Sequence, residues 1–180
     1  MGDLINLLLG LFGIQQPSQP LVSPQPTQQI QSIDPLEQMI SQGLAKYPGG
    51  APIATLSAQL AKSGRQIQKA GGDPLLPTVI SLKESQGGKK QVGINNPYGL
   101  RGTQNGSQQF INYATPEEAL FGGTIAHPLG FMGNLFKNYQ PYLKSGNLAD
   151  FFSTYTPISD SRNPSIQNQI DLYNQLRSYF

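Results

Sequence analysis

The sequence predicts a mainly α-helical domain carrying one small β-hairpin, an α+β fold built on a single core. Three observations predict it. Apolar residues recur at helical spacing through most of residues 34–180, as in Leu36, Ile40 and Leu44 or in Ile166, Ile170 and Tyr173. Asn105-Gly106 separates two short runs, 98–103 and 108–113, and is a strong two-residue hairpin signal. With 180 residues and no cysteine, the chain has length for one domain plus an extension, and that domain must hold without disulfides.

The extension comes first. Residues 1–14 are nearly all apolar, with Leu7-Leu8-Leu9 and Leu11-Phe12 at their centre. They are too few to span a bilayer, which takes about 20 residues. The acidic start Met1-Gly2-Asp3 does not suit a secretory signal. Three readings stay open for this segment: a helix docked on a partner protein, a membrane-surface segment, or a helix folded back on its own domain. Residues 15–33 follow as a Pro/Gln-rich linker, in which Pro17, Pro20, Pro24 and Pro26 hold the chain extended.

The domain opens at Asp34-Pro35, a helix cap followed by a proline at the first helical position. Leu36, Met39, Ile40 and Leu44 give the first helix a buried face, and Tyr47-Pro48-Gly49-Gly50 ends it. A second, more polar helix runs from Pro52 to Gly71-Gly72 on Ile53, Leu56, Leu60 and Ile67. Asp73-Pro74 opens a third, whose start Pro77 is expected to delay by a turn. Beyond the hairpin, Thr115-Pro116-Glu117-Glu118 has the form of a capping box. Leu120, Ile125, Leu129, Phe131, Leu135 and Phe136 then continue the core, with Gly130 and Gly133 marking a break or a close approach. Asn147 caps a helix through Phe151 and Phe152, and the segment from Ile166 to Phe180 closes the domain.

Composition removes several functions. There is one histidine, His127, with no nucleophile motif beside it, so a Ser-His-Asp triad is a poor reading. Zinc sites of the Cys/His type are excluded, and Gly87-Gly88-Lys89-Lys90 lacks the upstream glycine and the Ser/Thr of a phosphate-binding loop. A net charge of +2 gives no field of the kind that binds nucleic acid. Lys83, Lys89, Lys90 and Arg101 nevertheless gather in one stretch, which suits either an anionic polymer or a solvated loop.

That stretch also holds the candidate acid. Glu84 falls in the last turn of the third helix, where the helix dipole disfavours negative charge. Ile80 and Leu76 lie one and two turns before it, so the carboxyl is expected on an apolar stripe. Both effects favour a protonated carboxyl, the form needed to donate a proton to a glycosidic oxygen.

The order Glu84-Ser85, Gly87-Gly88-Lys89, Asn95-Asn96-Pro97-Tyr98-Gly99-Leu100-Arg101-Gly102, Phe110, Tyr113 resembles the peptidoglycan-cleaving lysozyme-like domains. It is most similar to the glucosaminidase branch and the phage virion-associated lysozymes. The resemblance implies a lysozyme-like catalytic domain over 34–180, a hairpin lobe beside a cleft, and Glu84 as the catalytic acid. It further implies substrate contacts from Ser85, Asn96, Tyr98, Gly99, Phe110, Tyr113 and Tyr155, with Asn96 hydrogen-bonding the sugar. Read from the residues alone, Tyr98, Phe110 and Tyr113 serve equally to cover a small sheet, and Tyr155 to pack a helix end.

No Asp or Glu lies between Ser85 and Pro116, and the capping box accounts for Glu118. Two-carboxylate glycosidases need their second acid roughly 5 to 9.5 Å from the first. The expectation is therefore a single-glutamate mechanism, as in lytic transglycosylases, with Glu117 or Asp160 as the remaining acids able to reach the cleft. No cofactor or metal is implied; the partners implied are peptidoglycan and, through residues 1–14, other virion or tail proteins. An enzyme of a phage tail fits this layout. The alternatives are an inactive structural or plug protein of the same setting and a membrane-active injection factor.

Overall fold

The computed structural model describes residues 33–90, 93–104, 107–123, 128–155 and 165–180. The segment 1–14, the linker up to residue 32, the Asn105-Gly106 turn, Ile125, His127 and Asp160 lie outside the described residues. Ile33–Phe180 forms one unit, mainly helical, with a single two-stranded antiparallel sheet among the described residues.

Helix α1 (Pro35–Lys46) starts as its sequence predicts, with Asp34 Oδ1 accepting from Leu36 N at 2.7 Å. Its buried face is Leu36, Ile40, Gly43 and Leu44; Met39, expected inside, is 43% exposed. The second segment is two elements rather than one helix. Pro52–Leu56 forms a 3-10 turn, and α2 (Ser57–Lys69) follows it. Pro52 starts the tighter turn at no hydrogen-bond cost, because first-turn N–H groups have no intrahelical acceptor.

The same argument corrects the start of α3 (Leu76–Ser85), where Pro77 sits inside the first turn instead of delaying it. Helix α3 is the centre of the fold. Every residue from Leu76 to Leu82 is buried, so the helix is enclosed on all sides rather than striped. Burying Leu76, Val79, Ile80 and Leu82 contributes about 1.5–3 kcal/mol each. Gln86 ends the helix in a left-handed conformation at φ 53°, and its N–H donates to Leu82 O at 2.9 Å.

Strands β1 (Arg101–Gln104) and β2 (Ser107–Phe110) pair in the register Arg101↔Phe110 and Gln104↔Ser107, which leaves two residues for the turn. The strands are shorter than the runs that predict them. Tyr98 and Tyr113 therefore lie on the flanking loops and not on the sheet.

Helix α4 (Pro116–Phe121) has the expected N-cap, with Thr115 Oγ1 accepting from Glu118 N. Glu118 closes the box one residue early, accepting from Ala114 N at 2.9 Å. Gly130 begins α5 (Phe131–Asn138) against the backbone of Ala119, Leu120 and Gly122, too close for any side chain. Helices α6 (Gln140–Ser145), α7 (Leu148–Tyr155) and α8 (Ile166–Arg177) complete the domain. Helix α8 packs on α3 and on α7. Asp73 ties it down: its carboxylate accepts from Tyr173 Oη at 2.9 Å and Arg177 Nε at 2.6 Å while capping Leu75 N.

Candidate active site

Glu84 sits in the last turn of α3, with 26% of its side chain exposed. Groups from two distant segments and from its own helix surround its carboxylate. From α7, the Tyr155 hydroxyl donates a hydrogen bond to it. From the loop before β1, Gly99 presents bare backbone, so near that a Cβ there would stand 3.6 Å from Oε2. From α3 itself, Lys83 Nζ lies 2.6 Å from Oε1. The expectation of apolar surroundings is thus corrected. The helix does put the glutamate at its end, but two proton donors face the carboxylate.

Lys83 is the partner that sequence spacing conceals, because neighbours on a helix point about 100° apart and seldom meet. Its side chain is only 10% exposed, and its ammonium lies 5.4 Å from the Tyr155 ring centroid and 6.0 Å from that of Phe152. Tyr155 in turn stacks on Phe151 at 5.1 Å, beside Tyr139. Burial, and then the adjacent Glu84 charge, hold the Tyr155 hydroxyl well above the ordinary tyrosine range. It meets Glu84 as a neutral donor at any physiological pH.

The loop that delivers Gly99 is locked from inside. Ser85 is buried, and its hydroxyl bonds Pro97 O at 2.8 Å while accepting from Gly88 N at 2.8 Å. Asn96 is wholly buried: its amide nitrogen donates to Leu100 O and Ile111 O, and its oxygen accepts from Leu100 N. Neither side chain reaches a ligand, contrary to the substrate contacts implied for Ser85 and Asn96. They aim the loop, so that Gly99 takes φ 61° and turns its Cα toward Glu84.

The aromatic residues divide in the same way. Tyr98 is buried and stacks on Phe131 at 4.8 Å; its hydroxyl has no partner among the described residues, and burial drives its ionisation far upward. Tyr113 is buried too, with its hydroxyl pushed up to about 12 by burial. Both pack the interior behind the loop and offer no ring to a sugar. Phe110 is half-buried, and the Arg101 guanidinium covers one face of its ring at 4.3 Å. Of the substrate contacts that the resemblance implies, Gly99 and Tyr155 are the ones placed beside Glu84.

Glu118 is committed to its cap, and Glu117 is exposed on α4. Among the described residues no group of three or more His, Cys, Asp or Glu side chains converges as a metal site would. Three shallow grooves of about 360, 390 and 320 Å³ lie on faces involving α1, lined respectively by Met39, Tyr179 and Phe180, by Lys62 and Lys69, and by Pro74 and Arg177; Glu84 lines none of the three. No protein-family model, curated protein or solved structure matches the chain.

Proposed function

We propose that the protein cleaves the β-1,4-linked glycan strands of peptidoglycan, with a lysozyme-like arrangement of its domain and Glu84 as the general acid. The observation that carries this reading is the convergence on one partly exposed carboxylate of a tyrosine hydroxyl from α7 and the bare backbone of Gly99. Among the described residues no backbone group hydrogen-bonds either oxygen, and Gly99 sets no side chain against the carboxylate. A protonated Glu84 would give its proton to the leaving glycosidic oxygen as the C1–O bond breaks. The C1 cation would then be met by the substrate's own N-acetyl oxygen, or by a muramic acid 6-hydroxyl whose proton returns to the Glu84 carboxylate, since residues 86–115 hold no acid and Glu118 is committed to its cap. Tyr155 orients the carboxylate, and the Ser85 and Asn96 ties keep the loop in place. Delivery as part of a phage tail accords with the apolar segment and proline-rich spacer of the sequence.

One observation favours a second reading, an inactive structural component of the same kind of assembly. The Lys83 ion pair accounts for a half-buried glutamate without a substrate. One experiment separates the two. Purified peptidoglycan is incubated with wild type and with Glu84→Gln, and the soluble fragments are analysed by mass. Fragments from wild type only establish the enzyme, and their ends name the reaction: a 1,6-anhydro end means a transglycosylase, a reducing sugar end a hydrolase. No fragments from several wall types sink the enzymatic reading in favour of the structural one.

A further inference from the structure

Arg101 differs from Lys83 and Lys89, whose ammonium groups are hydrogen-bonded within the fold. It pairs directly across the hairpin with Phe110, and its guanidinium carbon lies over that ring, 4.3 Å from the centroid. This contact is the only one its side chain makes among the described residues, none of which offers a carboxylate, carbonyl or hydroxyl that accepts from its five N–H groups. Stacking fixes the plane of a guanidinium while leaving the donors on its edge open, which is the geometry that receives a carboxylate by two parallel hydrogen bonds. Residues 86–115 contain Lys89, Lys90 and Arg101 and no acid. Lys89 is drawn away to Pro48 O at 2.8 Å. Arg101 lies two residues beyond Gly99, within about 7 Å along the backbone of the glycine that faces Glu84. The next pair on the same face is Thr103 with Gln108, which hydrogen-bond each other at 3.2 Å and continue an uncharged polar strip along the exposed hairpin.

We propose that Arg101, held on Phe110, is a specificity-determining residue that binds a carboxylate borne by the glycan's peptide substituents. The proposal rests on the reading of Glu84 as a glycan-cleaving acid. It makes the substrate class an acidic, peptide-bearing strand rather than a neutral polysaccharide. Phe110 acquires a different task from stacking on sugar: it is the platform that orients the guanidinium.

The test compares intact peptidoglycan with the same material after carbodiimide amidation, which neutralises its carboxylates. Wild type, Arg101→Gln and Arg101→Lys are each measured by co-sedimentation with the insoluble wall and by fragment release. For wild type, amidation should weaken binding and raise KM about tenfold with kcat little changed, the scale of one charge-assisted bidentate contact. Arg101→Gln should show that weaker binding on both materials, and Arg101→Lys should recover only part, lacking the fork and the flat stack. Added salt should reduce the wild-type advantage. If amidation weakens wild type and Arg101→Gln equally, or weakens neither, Arg101 does not read a carboxylate and the proposal falls. Co-sedimentation keeps this result apart from the fate of the enzymatic reading: wild type that binds intact wall by way of Arg101 but releases nothing refutes the catalysis and not the contact.

Discussion

The two ends of helix α3 carry acids with similar neighbours and different work. At the N-terminal end, Asp73 accepts from a tyrosine hydroxyl and from an arginine, and at the other end Glu84 accepts from a tyrosine hydroxyl and a lysine. The difference is in the backbone. Asp73 also caps Leu75 N, its own N–H donates to the Tyr142 hydroxyl, and its partners join α3, α6 and α8. Every group around it is consumed by the fold. Glu84 bonds to side chains only, remains partly exposed and faces a glycine. An acid with backbone duties is structural; an acid held by side chains alone beside open backbone is available for chemistry.

The glycines beside each acid offer the strongest way to break this comparison. A methyl at Gly72 would lie 2.7 Å from Ile67 Cγ2 and 3.0 Å from the Tyr142 hydroxyl. Gly72→Ala should therefore cost about 1–3 kcal/mol by overpacking, with activity per folded molecule unchanged. At Gly99 the added methyl meets Glu84 Oε2 at 3.6 Å, an ordinary contact, and the cost is the left-handed backbone at φ 61°. Gly99→Ala should destabilise by about 1 kcal/mol yet reduce cleavage more than tenfold, because the methyl occupies the approach to the carboxylate. Thermal melts beside fragment-release rates distinguish the two, and equal activity losses would remove the distinction.

The tyrosines sharpen it. Tyr173→Phe strips Asp73 of a partly buried bond and should cost about 1 kcal/mol of stability with kcat intact. Tyr155→Phe removes a comparable bond and should cost about as much stability, but it should also lower kcat by about tenfold, with KM little affected.

The smallest effect is expected in alkali. The Tyr142 hydroxyl, which accepts from Asp73 N, is pushed up to about 12, chiefly by burial, against an ordinary value near 10. The unfolded chain thus loses that proton before the folded one does. Stability from Tyr142 is whole below pH 10 and is lost as pH rises toward 12. Melting temperatures of Tyr142→Phe should begin slightly lower than wild type at neutral pH and fall less steeply through that window. Parallel curves would contradict the assignment.

Much of the fold is legible in the sequence because its signals are local. Asp34, Thr115 and the prolines that follow them each act within a few residues, and the spacing of Leu36, Ile40 and Leu44 needs only one helix to express it. The end of α3 is legible for the same reason, and Glu84 follows from it. What the sequence conceals is which polar side chains the interior consumes. Ser85 and Asn96 have the same donors and acceptors whether they meet a sugar hydroxyl or the carbonyls of Pro97, Leu100 and Ile111. Burial decides between those uses, and burial is a tertiary property. The Arg101 stack was open to deduction, since a two-residue turn at 105–106 places Arg101 opposite Phe110. Lys83 was not, because its ammonium reaches Glu84 only by the bend of its own long side chain against Phe152 and Tyr155.

The central claim, that Glu84 is free for chemistry while Asp73 is spent on the fold, is tested most directly by Glu84→Gln and Asp73→Asn side by side, each measured for melting temperature and for fragment release from peptidoglycan. The account predicts a crossed result: Glu84→Gln melts within a degree or two of wild type and loses at least a hundredfold in activity, whereas Asp73→Asn loses about 2 kcal/mol, roughly 4–8 °C, and keeps its activity below the melt. A wild-type-like activity in Glu84→Gln, or a large stability loss in it alone, would contradict the account and make the glutamate another structural acid.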